Sequence, residues 1–271
     1  MTTPAQPIRV CLAGATGWAG SELARGTVHT PDVQLVAAVS RTHAGRHLGD
    51  VLNEPRLPCP VYASAKLACV DAWDVFVEYT KPHMALSNVV TAIEHGAHVV
   101  IGTSGLTDDD FARIDDAARA NSRGALACGN FALTVVLLQR FAEAAAKLIP
   151  QWEIIDYAHD DKRDAPSGTA RELANRLAHV RAPELTVPID QTVGDATARG
   201  AEIAGSRVHS IRLPGYVIGA EIVFGMPDQR LTIRHDAGRS AKPYVDGALL
   251  AIRRVSNLVG LHRGLDAVLD A

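Results

Sequence analysis

Cysteine is scarce in this chain, and its few positions suit no cross-link: Cys11, Cys59, Cys69 and Cys128 include no Cys-x-x-Cys pair. That spacing offers neither a disulfide frame nor a zinc site, and no other metal centre is expected. Their mostly apolar neighbours mark the four as buried free thiols in a reducing compartment. An excess of either charge is lacking too. Lys and Arg number 27 against 30 Asp and Glu, for a formal net charge of -3 and a pI near 6.4. Such a balance gives no general attraction to nucleic acid or to an anionic membrane, so any positive site must be local. Met1 to Pro7 lacks the basic start and apolar core of a leader, and no apolar run reaches the roughly 20 residues that span a bilayer. A cytoplasmic location is the expectation. There is no internal repeat and no low-complexity segment; alanine is abundant but spread through helical patterns.

What is present fills 271 residues with 47% hydrophobic content, enough for one large core or two modest ones. Arg9 to Ala13 is a short apolar run, followed at once by Gly14-Ala15-Thr16-Gly17-Trp18-Ala19-Gly20 and then by the helical Ser21 to Arg25. Strand, glycine turn and helix in that order let the backbone approach a pyrophosphate and let the helix N-terminus hold it. A second strand, Val33 to Val39, ends at Ser40-Arg41. Binders of NAD place an acid near this point to accept the ribose 2′-hydroxyl, whereas a basic residue suits a 2′-phosphate. The acid is missing, and Arg41, with Arg46 as a second candidate, favours NADPH over NADH.

Further strands are expected at Asp74 to Tyr79, Val99 to Ile101 and Ala125 to Cys128. Helices are expected from about Ala85 to His95, from the three aspartates Asp108 to Asp110 onward, and from Thr134 to Leu148. This alternation predicts an α/β domain with a Rossmann-like, doubly wound parallel sheet. Its ligands bind beyond the carboxyl ends of the strands, where Gly14, Thr80, Gly102 and Asn130 lie. After Pro150 the pattern changes. Trp152 to Tyr157, Arg207 to Arg212, Val217 to Phe224 and Arg230 to His235 are strands with one clear helix among them, Thr169 to Ala178. That predicts an α+β domain with a mixed sheet. The dinucleotide-binding domain is expected at 1-130, completed by a C-terminal helical segment at 241-271 that includes an amphipathic helix, Tyr244 to Val259. The substrate-binding and oligomerisation domain takes 131-240. Gly194 to Gly205, polar and glycine-rich, is expected to be a mobile loop, and the open face of the second sheet an oligomer interface.

The stretch His159-Asp160-Asp161-Lys162-Arg163-Asp164-Ala165-Pro166-Ser167-Gly168-Thr169-Ala170 joins a strand to a helix. Ser167 is a good N-cap, and the amides of Gly168, Thr169 and Ala170 are donors at the positive end of the helix dipole. Lys162 upstream adds a second positive centre. Two such centres suit a small ligand with two carboxylates.

Together with Gly102-Thr103-Ser104-Gly105, Asn130-Phe131 and Val208-His209-Ser210-Ile211-Arg212-Leu213-Pro214-Gly215, these motifs resemble the 4-hydroxy-tetrahydrodipicolinate reductase (dihydrodipicolinate reductase) family along essentially the whole chain. The K-x-D-A-P-S-G-T-A run is the most specific of them. The resemblance implies NADPH- or NADH-dependent reduction of a cyclic dicarboxylate imine in the diaminopimelate route to lysine, by a homotetramer whose substrate domains form the central interface. It implies that Lys162 binds substrate and that Ser167, Gly168 and Thr169 cradle a carboxylate. Gly14, Ala15, Thr16, Gly17, Trp18, Ala19, Arg41, Thr80, Gly102, Thr103, Ser104, Asn130 and Phe131 are implied to line the cofactor cleft. The family commonly carries a His-His pair before the lysine, the first histidine serving as proton donor. Here the pair is Ala158-His159, which leaves His159, Lys162 or a water for the proton. Adjacent strand residues face opposite sides, so His159 takes that role only if the strand has ended or twisted. Ser40 in place of an acid, and Glu78-Tyr79-Thr80, are further departures. Two other readings are a paralogous reductase of another small carboxylated imine, and a non-catalytic NADPH-binding protein.

Overall fold

The structure, a computed structural model, describes residues 6–269. Most of Met1 to Pro7, the segment on which the expectation of no leader falls, lies outside the described residues, as do the last two residues of the expected 241-271 segment. In chain order the elements are β1 (Ile8–Ala13), α1 (Trp18–Thr27), β2 (Val33–Val39), α2 (Leu48–Leu52), β3 (Val61–Tyr62), α3 (Ala65–Ala68), β4 (Val75–Glu78), α4 (Pro82–Glu94), β5 (His98–Ile101), α5 (Asp108–Ala120) and β6 (Gly124–Ala127). They continue with α6 (Leu133–Ala146), β7 (Gln151–Ala158), α7 (Gly168–Ala178), β8 (Ala201–Ile203), β9 (Ser206–Arg212), β10 (Ile218–Met226), β11 (Gln229–Ala237), α8 (Val245–Arg254) and β12 (Gly260–Arg263). The chain divides into two compact units. One runs through Leu133 and resumes at Ser240; the other is Thr134–Arg239.

The first unit is a parallel sheet in the order β12-β6-β5-β4-β1-β2-β3. Its central strands are apolar on both faces, as a sheet covered by helices on both sides requires. Every residue of β4 is buried, and Cys11, Phe76, Val99 and Ile101 pack with Ile93 of α4 and Ile114 of α5. A fully buried side chain of this size stabilises a fold by ~1.5–3 kcal/mol. Helix starts follow local chemistry. Pro82 occupies the first turn of α4, where a missing N–H costs nothing, so this helix begins three residues before the expected Ala85. Thr107 and Asp110 form a reciprocal capping box at α5, and Asp108 to Asp110 sit at the positive end of its dipole.

The chain order of the sheet reverses between β1 and β4, which flank each other with Ala13 opposite Glu78. Successive crossovers leave in opposite directions at that point and open a crevice beyond the strand ends. Two elements of this sheet differ from expectation. The two-residue β3 pairs with Ala38 and Val39 and has no apolar run of its own. The C-terminal segment is not all helix: after α8 and a single turn at Val255–Asn257, β12 joins the sheet edge parallel to β6.

The second unit is a mixed sheet in the order β11-β10-β7-β9-β8, in which only the β7–β9 pair is parallel. Trp152, Ile154, Val208, Ile222 and Phe224 point to one face and bury against Leu138 and Ala142 of α6 and Leu173 and Leu177 of α7. The opposite face carries Glu153, Ile155, Ile211 and Val223 along a cavity of about 680 Å³ edged by Glu184 to Val187. The expected mobile loop is partly ordered structure. β8 pairs antiparallel with β9 through a two-residue turn in which Ala204 and Gly205 both have positive φ, the geometry that matches strand twist in a tight hairpin.

Candidate functional site

Two constellations of candidate residues stand out, one in each unit. In the first, the glycine turn after β1 lies against the chain leaving β4. Gly14 has φ +78°, and a Cβ there would sit 2.4 Å from the Tyr79 carbonyl; a Cβ on Gly20 would sit 2.2 Å from the Gly14 carbonyl. Only glycine permits both approaches. The result is a crevice of about 450 Å³ on one side of the switch point, lined by Gly14, Thr16, Gly17, Trp18, Ala19, Arg41 and Thr80. A second, of about 400 Å³, is lined by Trp18, Ala19, Thr80, Gly102, Thr103, Ser104, Asn130 and Phe131. Of the thirteen residues implied to line the cleft, Ala15 alone lines neither: its side chain is fully buried under the turn. Arg46 also stays outside, its carbonyl accepting from Val61 N.

Beside Arg41 the crevice has hydroxyls, and among the described residues that line it there is no carboxylate. Thr16 and Ser40 are 3.2 Å apart through their oxygens, and Ser40 and Thr42 3.3 Å. The acid of this region lies deeper. Glu78 is buried at the end of β4, where it accepts from Thr80 N, Asn88 Nδ2 and the Thr103 hydroxyl. Burial pushes its carboxyl above the usual range, and those bonds pull it back in part. The hydroxyls of Tyr79 and Thr80 are buried without a hydrogen-bond partner. Unpartnered polar atoms, a glycine cradle and aromatic walls from Trp18, Tyr79, Phe131 and Tyr244 fit a dinucleotide. Sequence reasoning missed Tyr79 and Tyr244. The first was findable as the neighbour of Thr80 at a strand end; the second comes from the far end of the chain and has no local signal.

In the second unit, α7 starts at Gly168 with Ser167 as its cap, the Ser167 hydroxyl accepting from Ala170 N at 3.3 Å. The Ser167 amide donates to the fully buried Asp156 at 2.8 Å. Arg212 pairs with the same Asp156 oxygen at 2.7 Å and also donates to the Asp164 carbonyl at 2.7 Å. Lys162 Nζ in turn donates to the Asp164 carboxylate at 2.6 Å. The motif is thus tied end to end, from Lys162 through Asp164, Arg212 and Asp156 to the helix mouth. It leaves the amides of Gly168 and Thr169 as the donors of that mouth. A Cβ on Gly168 would meet nothing within 4 Å, so the space before it is open. Sequence reasoning placed Lys162, Ser167, Gly168 and Thr169 but missed the buried Asp156–Arg212 pair, whose partners are 56 residues apart.

β7 ends at Ala158, which is buried. His159 therefore lies outside the strand alternation, with Nδ1 bonded to the Asp161 carboxylate. That bond holds the Asp161 carboxyl below its usual range. His209 lies on the open face of the sheet, paired with Glu153 at 2.7 Å.

Residues 8–131 match the family described as dihydrodipicolinate reductase, N-terminus, and residues 134–269 its C-terminus. The chain belongs to the dihydrodipicolinate reductase family. A 4-hydroxy-tetrahydrodipicolinate reductase of Moorella thermoacetica is 40% identical over 267 residues, covering 97% of this chain and 98% of that protein. One from Listeria welshimeri is 36% identical over 264 residues, with coverage of 97% and 100%. The solved dihydrodipicolinate reductase of Paenisporosarcina sp. TG-14, with dipicolinate bound, superposes with a TM-score of 0.86 at 32% identity, covering 97% of this chain and 100% of that one. Membership in the dihydrodipicolinate reductase family makes the N-terminal domain an NAD(P)-binding domain.

Proposed function

We propose that this chain reduces 4-hydroxy-tetrahydrodipicolinate to tetrahydrodipicolinate, with NADPH as the better reductant and NADH as an alternative. The observation that carries this reading is the tied Lys162-to-Thr169 motif. A lysine ammonium and an open helix mouth are linked by a buried ion pair, a cradle matched to a ring with two carboxylates. When bound, the dinucleotide supplies the hydride. Gly14 and Gly17 admit its pyrophosphate to the start of α1, and Arg41 with Thr16, Ser40 and Thr42 receives a 2′-phosphate. Thr80, Gly102, Thr103, Ser104, Asn130 and Phe131 wall the neighbouring crevice.

In the second unit, Lys162 uses one N–H on Asp164 and turns the others to one substrate carboxylate. The amides of Gly168 and Thr169, with the Ser167 hydroxyl proton, take the other. Both centres stabilise the negative charge that develops on the ring as the imine is reduced. A proton must then quench that charge. His159 donates it from Nε2, with Nδ1 tied to Asp161. Support for this comes from the end of β7 at Ala158, which frees His159 from the strand's alternation. The active species is a cytoplasmic homotetramer built on the open face of the mixed sheet.

The test is loss of nicotinamide absorbance when NADPH, the protein and freshly generated 4-hydroxy-tetrahydrodipicolinate are mixed across a pH series. Absence of turnover at every pH sinks the assignment. Lys162→Ala is expected to lower kcat/KM by ~10²–10³, the usual size for removing a charge-stabilising donor, with little change in Tm. An unchanged variant refutes the cradle.

A further inference from the structure

The residue that follows β4 is a tyrosine whose hydroxyl has no use within the protein. Tyr79 OH and Thr80 Oγ1 are closed to solvent and neither has a hydrogen-bond partner. The ring itself is well held. It meets Phe131 edge-on with centroids 5.9 Å apart, and it occupies the space that Gly102 leaves open, since a Cβ there would lie 2.1 Å from Tyr79 Cε1. Phenylalanine would make the same ring contacts without burying an unpaired hydroxyl, which native proteins rarely do without a partner. Burial drives the phenol's pKa far up, so the group is a neutral donor at any working pH.

The surroundings narrow what the partner is. Tyr79 lines the crevices on both sides of the switch point, and Trp18 and Tyr244, edge-to-face at 5.6 Å, line the second with it. Rings on several walls favour a flat ligand. Two neighbours are turned to the protein: the Thr103 hydroxyl bonds Glu78 and the Thr80 carbonyl, and Asn130 Oδ1 accepts from Ala132 N. A flat ring bearing one planar group that both donates and accepts would satisfy the two hydroxyls left over.

We propose that the Tyr79 hydroxyl, together with that of Thr80, binds the carboxamide of the nicotinamide ring and so fixes which face of the ring is presented. The inference rests on the dinucleotide reading of this crevice and adds to it a cofactor-binding residue.

Tyr79→Phe separates the two. Calorimetric titration compares wild type and variant with NADPH and with 2′-phospho-ADP-ribose, which keeps the phosphates but lacks the nicotinamide. The variant is expected to bind NADPH roughly three- to tenfold more weakly, the scale of one neutral hydrogen bond, and the fragment unchanged. The ligand-free Tm is expected to hold or rise, because an unpaired hydroxyl is removed. Unchanged NADPH affinity overturns the proposal, as does equal weakening of both ligands, which would report a distorted crevice. A lower ligand-free Tm overturns it too, since the hydroxyl would then have a partner inside the protein. Wild type that binds neither ligand removes the dinucleotide reading itself, and the proposal with it.

Discussion

His159 and Asp161 form a pair that a motif scan passes over, because the chain carries alanine where the family usually has its first histidine. With Nδ1 held by Asp161, the imidazole presents Nε2 as its free nitrogen. His159→Gln is expected to lower kcat on the order of tenfold, less than Lys162→Ala, since water or the lysine can still deliver the proton. A kcat and pH profile identical to wild type would remove His159 from the reaction. Glu78 gives a residue-scale prediction about stability. Its folded pKa is raised by burial, so the fold favours the neutral acid. That contribution is full below the unfolded value of about 4.3 and is lost as pH rises through the folded pKa. Glu78→Gln, neutral throughout, is therefore expected to melt higher than wild type near neutral pH, with the gap closing at acid pH. A variant that melts lower at both would mean that the carboxylate's hydrogen bonds outweigh its desolvation.

The glycine turn and the α7 mouth were both legible as strand-turn-helix punctuation, and the structure separates what their glycines do. At Gly20 a side chain meets the Gly14 backbone at 2.2 Å, whereas at Gly168 it meets nothing. Gly20→Ala is expected to lower Tm through a backbone shift, a strain of ~1–3 kcal/mol. Gly168→Ala is expected to leave Tm unchanged and to raise KM for the dicarboxylate, because the added methyl intrudes only on ligand space. A Gly168→Ala enzyme with normal KM places the substrate elsewhere. The Asp156–Arg212 pair shows what element-level reading misses. Asp156 sits in an apolar strand and looks like an alternation fault until the approach of β9 supplies the guanidinium. Breaking such a buried pair from one side costs ~3–5 kcal/mol. Arg212→Met should thus destabilise the second unit and loosen the Lys162-to-Thr169 motif together.

At the scale of the whole molecule, one face of the mixed sheet is covered by α6 and α7, and the other carries a cavity edged by Glu184 to Val187 and by Arg199. If that face joins subunits, Val223→Glu is expected to lower the sedimentation coefficient to that of a smaller species. A tetramer that persists in the variant excludes the face as the interface. What the amino-acid order settled by itself was the alternation of strands and helices, the glycine turn, the aspartate-rich start of α5 and the Ser167-capped start of α7. These depend on neighbours within a few residues, whose periodicity, dihedral limits and capping bonds are local physics. Tertiary structure alone decided that Gly260–Arg263 would be an edge strand, that Ala201–Ile203 would fold back on β9, that Tyr244 would wall the crevice with Tyr79, and that Arg212 would neutralise Asp156. Each of these is a contact that neither segment encodes alone, made favourable only when the rest of the fold has removed water and brought the second partner into reach.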